Sequence, residues 1–250
     1  MTIMKIQLLS LVLIPVIPFF IASPTKAEPA PNLTIFSPSG YGADSGTVYI
    51  QSDYQSRTRF TSKSDGGIGV GIGLGNARDL AVDVHYTVNS LSGSGGGKAG
   101  DGGFSAKVHK RLSDDSSVAI GYNQFATNGT TDYQRGSYYA VGTKIIETKK
   151  ALSEPFSRVA VTVGVGGGVF NGFNPNDNPT QTKSGVGLFG AVSTRVSDRV
   201  AVIGEYTGQD FAAGLSIVPF KDVPLVVTPA IRDIGSRDGA RFTVGLGYSF

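Results

Sequence analysis

The sequence contains no cysteine and no tryptophan, and its two histidines are His85 and His109. Without cysteine the chain can form neither a disulfide nor the acylated anchor of a lipoprotein, and thiol chemistry is excluded. The G-x-S-x-G motif, which places a nucleophilic serine on a sharp turn, is also missing. We therefore predict that the protein is not an enzyme and holds neither a cofactor nor a metal ion.

Long apolar runs are absent beyond the N-terminal segment. There, Lys5 precedes a charge-free apolar stretch over residues 6–22, and a small-x-small cleavage site ends at Ala27. Two prolines within the stretch favour cleavage over a retained membrane anchor. We therefore predict a cleaved signal peptide over residues 1–27. The mature chain would then cross a bilayer only with strands.

Charge gives no reason to expect a nucleic-acid partner. Of the 22 basic residues, Lys5 and Lys26 are lost with the signal peptide, which leaves 20 basic against 19 acidic residues. A chain so close to neutrality lacks the strong excess of positive charge with which proteins bind phosphate backbones. We therefore predict no nucleic-acid partner.

Beyond residue 46 the chain alternates apolar and polar residues, which is the pattern of half-exposed β-strands. Residues 28–45 are rich in Pro, Gly and Ser and have no period, so we predict an irregular N-terminal segment and a candidate plug. Over residues 46–250 we predict one all-β domain of about twelve strands, each close to the ~9–11 residues that span a bilayer when tilted. The predicted strands are 47–56, 66–75, 79–90, 103–112, 117–126, 137–148, 157–169, 184–196, 199–207, 210–220, 225–234 and 240–250.

Short turns and longer polar loops alternate between most of these strands. Turns follow the second, fourth, eighth and tenth strands, and longer loops follow the first, third, fifth and seventh. The sixth, ninth and eleventh connections depart from this rule. Such alternation is typical of a transmembrane antiparallel up-and-down β-barrel, in which turns lie on the periplasmic side and loops lie outside.

The apolar face of each strand is long and free of charge at its centre. Val82, Val84 and Tyr86, for example, share one side of the third strand. A soluble β-sandwich would bury this face in a core, whereas a barrel would turn it towards lipid. The residue types favour the barrel, because tyrosines occur near strand ends, as in the aromatic girdles at membrane interfaces. The tyrosines that we place on the outer face are Tyr54, Tyr86, Tyr122, Tyr139, Tyr206 and Tyr248.

The last strand carries the most specific pattern in the chain. One face of it is entirely apolar, whereas the other consists of Thr, Gly and Ser. A chain that ends on such a strand, with an aromatic final residue, resembles the insertion signal of bacterial outer-membrane β-barrels. The resemblance implies contact with outer-membrane lipid and recognition by the barrel assembly machinery. We expect this strand to pair with the first strand near residues 48–54. The residues of the predicted signal are Phe242, Val244, Leu246, Tyr248 and Phe250.

The final third of the chain is similar to uncharacterised outer-membrane barrels of cyanobacteria. The similarity is carried by the stretch that begins at Tyr206, by Thr228-Pro-Ala-Ile-Arg-Asp and by the terminal Phe250. It extends more weakly to barrels associated with exopolysaccharide export. The resemblance implies a fold and a Gram-negative outer-membrane location, but it does not imply a substrate.

The predicted inner face is built mainly from small residues, so about twelve strands leave a lumen unless a segment fills it. Basic residues at inward positions would favour anions. We predict a passive pore for small polar or anionic solutes, and the alternative is a non-conducting structural or assembly barrel linked to surface polysaccharide export. Lys107, Lys144 and Arg232 are the predicted constriction. The residues predicted to line the lumen are Lys107, His109, Lys144, Arg232, Asp83, His85 and Glu205.

Two local features of the predicted strands bear on the lumen. Asp83 and His85 lie on the same face, and we interpret them as a hydrogen-bonded polar pair rather than an acid–base site. Pro229 falls in the middle of a strand, where it removes a ladder donor, so a bulge is expected nearby. A bulge beside Arg232 would aim that side chain into the lumen.

Overall fold

A computed structural model describes residues 29–59, 61–94, 98–129, 136–172, 185–236 and 239–250. The predicted signal peptide lies outside these residues. Within them, no helix is long and apolar enough to span a membrane. The backbone is β-structure, with a short 3₁₀ turn at Gly168–Asn171.

The strands follow one another in chain order, and each is antiparallel to the next. Their bounds agree with the alternating stretches of the sequence, because each alternation gives one face to the barrel exterior and one to its interior. They are β1 (Val48–Gln55), β2 (Asp65–Asn76), β3 (Leu80–Val88), β4 (Gly102–Ser113), β5 (Ser116–Asn128), β6 (Ser137–Glu147), β7 (Arg158–Gly166), β8 (Gly187–Arg195), β9 (Val200–Tyr206), β10 (Phe211–Ile217), β11 (Leu225–Ile234) and β12 (Arg241–Ser249).

Strand β12 pairs with β1 and closes the sheet into a barrel of twelve strands. The register places Tyr49 opposite Ser249 and Gln55 opposite Thr243. This pairing confirms the predicted antiparallel up-and-down barrel and the partner predicted for the C-terminal strand. Closure leaves no sheet edge whose unpaired N–H and C=O groups would face the hydrocarbon of a bilayer.

The two ends of the barrel differ in their connections. At the turn end, where β1 begins and β12 ends, β2–β3, β4–β5 and β8–β9 are joined by tight turns. At the opposite loop end, β3–β4 and β7–β8 are joined by much longer segments. The long β6–β7 connection at the turn end departs from the alternation, as the sequence indicated.

The outer face of the barrel is apolar over most of its height. Large side chains such as Val70, Ile120 and Leu188 are at least half exposed and point away from the lumen. The predicted face of β12 also points outwards: Phe242, Leu246 and Phe250 are exposed, whereas Thr243 on the opposite side is buried. Exposed apolar surface on this scale is unfavourable in water and is stable against lipid. The barrel therefore has the outer surface of a transmembrane protein.

The predicted orientation of β6 was wrong by one residue. Tyr139, placed on the outer face by its sequence, points inwards and is 7% exposed, whereas Tyr138 is 47% exposed. Both faces of β6 carry a tyrosine, an isoleucine and a charged residue, so alternation alone does not choose between them. The neighbouring strands decide, because Lys144 pairs with the outward-facing Val161 of β7.

A bulge lies next to Arg232, close to Pro229. The β10–β11 register shifts between Phe211 and Ala213, and Asp233 has a left-handed backbone with φ of 58°. The bulge therefore accommodates the extra residue of β11 and brings both Arg232 and Asp233 towards the interior. Pro229 itself stays in register with Val244 of β12.

The register of the closing pair predicts a specific disulfide. Because the native chain has no cysteine, Asp53→Cys combined with Gly245→Cys introduces two thiols at directly opposed positions on the inner face. Opposed residues lie about 4.5–5.5 Å apart at Cα, within the range of a disulfide. We expect oxidation to consume both thiols, as measured by maleimide labelling after denaturation. Asp53→Cys with Gly247→Cys, displaced along the strand, is the matched control and should stay reduced; equal oxidation of the two pairs would contradict the register.

Candidate functional site

The interior of the barrel is crossed by the N-terminal segment, residues 29–45, which we call the lumenal segment. Near its start, the Asn32 backbone N–H donates to Ser216 Oγ of β10 at 2.7 Å, and its side chain donates to Thr228 of β11. Near its end, the Ala43 N–H donates to Asp83 of β3 at 3.3 Å. The segment therefore runs from one wall of the barrel to the other and is bound to inward-facing side chains at both.

Glu205 of β9 binds the middle of the lumenal segment. Its carboxylate accepts hydrogen bonds from the backbone N–H groups of Ile35 at 2.6 Å, Phe36 at 3.0 Å and Ser37 at 2.8 Å, and from the Ser37 hydroxyl at 3.1 Å. Consecutive N–H groups that converge in this way form a nest for an anion. Glu205, predicted to line the lumen, is 3% exposed because the segment covers it.

Glycine makes room for close contact between the segment and the barrel wall. A Cβ atom on Gly40 would lie 2.2 Å from the Ser117 carbonyl oxygen of β5, and one on Gly73 of β2 would lie 2.3 Å from the Asp44 carbonyl oxygen. Gly40 also donates to Thr143 of β6 at 2.9 Å through its N–H. Gly73 of β2 thus lets the segment approach the wall more closely than any side chain would allow.

Four of the predicted lumenal residues come together on β3 and β4. Asp83 accepts a hydrogen bond from Tyr49 at 2.6 Å, and its carboxylate lies 3.6 Å from His85 and 3.9 Å from Lys107. Lys107 donates to the Tyr41 carbonyl of the lumenal segment at 2.7 Å. The charge of Lys107 is therefore balanced by Asp83.

The fourth member of this group, His109, is buried against the lumenal segment. Its Nε2 atom lies 3.2 Å from the Ala43 carbonyl oxygen. Among the residues that the structure describes, no cluster of three or more His, Cys, Asp or Glu side chains is arranged to hold a metal ion. The group attaches the segment to the wall of the barrel.

Lys144, by contrast, does not line the lumen. It lies on the outer face near the turn end, with 53% of its side chain exposed, and its ammonium is 2.6 Å from Asp115 in the β4–β5 turn. This ammonium holds the pKa of the Asp115 carboxyl at about 2. The inverted orientation of β6 explains the error, because it exchanges the inner and outer faces of that strand.

Arg232 is the predicted constriction residue that forms no direct ion pair within the described chain, and Asp53 attracts it only at longer range. Its guanidinium stacks on the ring of Phe36, 3.9 Å from the centroid, and faces the same cavity as Asp53. Among the described residues, no carboxylate lies within 4.0 Å of the guanidinium, and its Nε atom is buried without a hydrogen-bond partner. The cation–π contact therefore fixes the side chain without neutralising it.

A cavity of about 890 Å³ remains beside the lumenal segment. Its walls include Tyr49, Asn123, Arg232 and the segment itself. Around β5–β8 the interior is filled instead by aromatic side chains. Phe170, from the 3₁₀ turn after β7, is 1% exposed and packs 4.4 Å from Phe189 between ring centroids.

Sequence reasoning missed this aromatic packing, because Phe170 belongs to a connection rather than to a strand. The available signal is glycine on the neighbouring inner face. A Cβ atom on Gly164 would lie 2.2 Å from the Phe189 ring, and one on Gly166 would lie 2.7 Å from Phe170. Small residues on β7 thus indicate that large side chains occupy the space opposite them.

No protein-family model and no curated protein matches the sequence. A solved structure that is similar to this chain is described as a KdgM porin in complex with disordered oligogalacturonate. The two chains are 12% identical with a TM-score of 0.48, and the match covers 82% of this chain and 99% of the porin.

The loop end of the lumen holds a buried, charge-balanced network. Arg59, from the β1–β2 loop, lies 2.6 Å from both Asp210 and Asp233, and Arg241 lies 2.7 Å from the other oxygen of Asp233. Burial alone would lower the pKa of Arg59, but Asp233 and Asp210 together raise it above its usual value. Arg241 is therefore paired with Asp233, and the network fixes the β1–β2 loop against β9–β11.

Proposed function

We propose that the protein is a passive pore for small polar or anionic solutes. The observation that carries the proposal is Arg232, a guanidinium without a carboxylate partner among the described residues, beside an 890 Å³ cavity inside a closed barrel. A fixed positive charge in a narrow lumen lowers the barrier to anions and raises the barrier to cations.

The balance of the other lumenal charges supports a preference for anions. Lys107 is neutralised by Asp83, and Glu205 is covered by the lumenal segment. Asp233 and Asp210 are matched by Arg59 and Arg241. Arg232 and Arg195 then face the cavity against Asp53, so the balance is positive but small. We expect a moderate anion preference rather than exclusion of cations.

We place the pore in the outer membrane of a Gram-negative cell. The signal peptide predicted over residues 1–27 would direct export, and the apolar face of β12 would contact lipid and be recognised by the barrel assembly machinery. The proposal keeps the predicted orientation, in which the turn end is periplasmic and the loop end faces outwards. The similarity to cyanobacterial barrels makes such a bacterium the proposed source.

Conductance across a planar bilayer tests the pore. Purified mature protein should give stable current steps, and a KCl gradient should give a reversal potential of the sign expected for anion preference. Protein unfolded by heat before addition is the control and should give no steps. Silence over many insertions, with folded protein demonstrated in the same membranes, would overturn the proposal.

A second candidate is a non-conducting structural barrel linked to export of a surface polysaccharide. The observation that favours it is the occupied lumen, because the lumenal segment and the Phe170–Phe189 packing fill much of the interior. Under this alternative the intact protein stays silent in bilayers, and loss of the protein alters the amount of polysaccharide at the cell surface. Conductance of the intact protein separates the two candidates.

A further inference from the structure

Two arginines face each other on the inner surface at the turn end. Arg158 begins β7 and Arg195 ends β8, and both line the cavity. The register pairs Val159 with Thr194, so the next inward pair along the two strands is Arg158 with Arg195. Like charges directly opposed across two strands destabilise a sheet unless another group compensates for them.

Only part of this charge is compensated within the described chain. Arg158 lies 3.3 Å from Glu147 of β6, and its Nη1 donates to the backbone carbonyls of Lys149 and Ser157 at 2.7 and 2.8 Å. Arg195 donates through Nη1 to the Asp198 carbonyl at 3.0 Å. Among the described residues, no carboxylate lies within 4.0 Å of the Arg195 guanidinium. Arg195 therefore forms no direct ion pair with a described carboxylate, and Asp198 attracts its charge only at longer range.

The surroundings of the pair suit an oxyanion. Backbone carbonyls bind one nitrogen of each guanidinium and so restrict both side chains while other N–H groups remain to donate. The nearby cavity wall is formed by Ala160, Ser193 and Ala201, which carry no negative charge. A guanidinium held in this way can donate two parallel hydrogen bonds to two oxygens of a carboxylate or a phosphate group.

We propose that Arg158 and Arg195 form a binding site for the carboxylate or phosphate group of a solute at the turn-end mouth of the lumen. The inference rests on the proposed pore function and assigns to it a second anion site, distinct from Arg232 near the loop end. In the predicted orientation this site lies on the periplasmic side. An anion that passes Arg232 would be bound here before release.

Binding measured without conduction tests the site. Inorganic phosphate and acetate are titrated calorimetrically into folded protein in detergent. Arg195→Gln should weaken binding of at least one of these probes by about tenfold, because it removes a charge-assisted fork. Arg195→Lys keeps the charge but cannot donate two parallel hydrogen bonds, so its affinity for the probe should lie between those of the wild type and Arg195→Gln. Arg78→Gln is the matched control, since Arg78 lies in another turn at the same end, is largely exposed and pairs with Asp114.

The outcomes separate this site from the pore itself. Binding that depends on Arg195 while bilayers stay silent would overturn the pore and support the site. Conduction with anion preference, together with equal binding by wild type and Arg195→Gln, would overturn the site and leave the pore intact. Absence of binding of both probes to the wild type would also overturn the site. Heat-modifiable migration in gels verifies that each variant is folded.

Discussion

Deleting most of the lumenal segment should raise the single-channel conductance at least about threefold, because an empty twelve-stranded barrel is wide enough to leave an open lumen. Deletion of residues 30–43 keeps the predicted cleavage site and also Asp44, whose carboxylate accepts from the Ala77 N–H. The barrel wall then retains its own hydrogen bonds while the crossing chain is gone. Single-channel recording in planar bilayers measures the change.

A single substitution tests the same prediction with less disturbance of the chain. Glu205→Ala removes the acceptor for three backbone N–H groups and the Ser37 hydroxyl. Each buried donor left unsatisfied costs about 1–3 kcal/mol, so loss of the acceptor for four donors should destabilise the docked segment by at least about 4 kcal/mol, or about a thousandfold in its equilibrium. We expect frequent transitions to the high conductance of the deletion variant.

Glu154→Ala, at an exposed position in the β6–β7 connection, is the matched control and should conduct as the wild type does. Equal conductance of the wild type, the deletion and Glu205→Ala would mean that the segment does not limit flow. Protease sensitivity of residues 29–45 in folded Glu205→Ala provides a second measurement, because an undocked segment is exposed to the enzyme.

Arg232→Glu should reverse the ion selectivity. The change replaces a positive charge that attracts Asp53 across the cavity with a negative charge that adds to it. Fixed charge at a narrow point of a lumen acts directly on the barrier for permeating ions. The reversal potential in a KCl gradient should therefore change sign, which is the largest effect that we expect from a single lumenal residue.

Two lysines, Lys107 and Lys144, provide graded controls for the Arg232→Glu experiment. Lys107→Glu should shift the reversal potential less than Arg232→Glu does, because Asp83 already balances Lys107 and the Tyr41 carbonyl accepts from it. Lys144→Glu should leave the potential unchanged, because Lys144 lies outside the barrel and pairs with Asp115. A reversal potential that is unaffected in Arg232→Glu, or that shifts equally in all three variants, would contradict the assignment of selectivity to Arg232.

The strands and their order could be predicted because a transmembrane barrel imposes one rule on every strand. Successive residues of β2, β3 or β12 face lipid and lumen in turn, so the apolar face can be recognised in the sequence. The pairing of the last strand with the first followed from closure of the predicted barrel. It was confirmed by the register, in which Tyr49 lies opposite Ser249. Alternation does not determine the orientation of β6, because both of its faces carry similar residues. Lys144 was therefore predicted on the inner face, whereas it lies on the outer one.

Much of the candidate site depends on contacts that alternation does not encode. Arg232 was placed on the inner face from its own strand, but its stacking on Phe36 depends on a segment without any period. Glu205 was identified as lumenal, yet its partners are backbone N–H groups, which leave no pattern in a sequence. Gly40 and Gly73 permit the close approach of the segment to the wall, but a glycine in the sequence does not identify the group that approaches it.

The position of the lumenal segment has a consequence for the order in which the barrel folds. The segment directly precedes β1, and β1 completes the barrel by pairing with β12 at the far end of the chain. Contacts of such large sequence separation form late, because they carry the largest loop-closure entropy. The segment reaches Ser216 and Glu205 across 184 and 170 residues of sequence, almost the separation of the β1–β12 pair, so these contacts also form late. We therefore expect docking of the lumenal segment and pairing of β1 with β12 to occur in the same late step, which encloses the segment as the barrel closes.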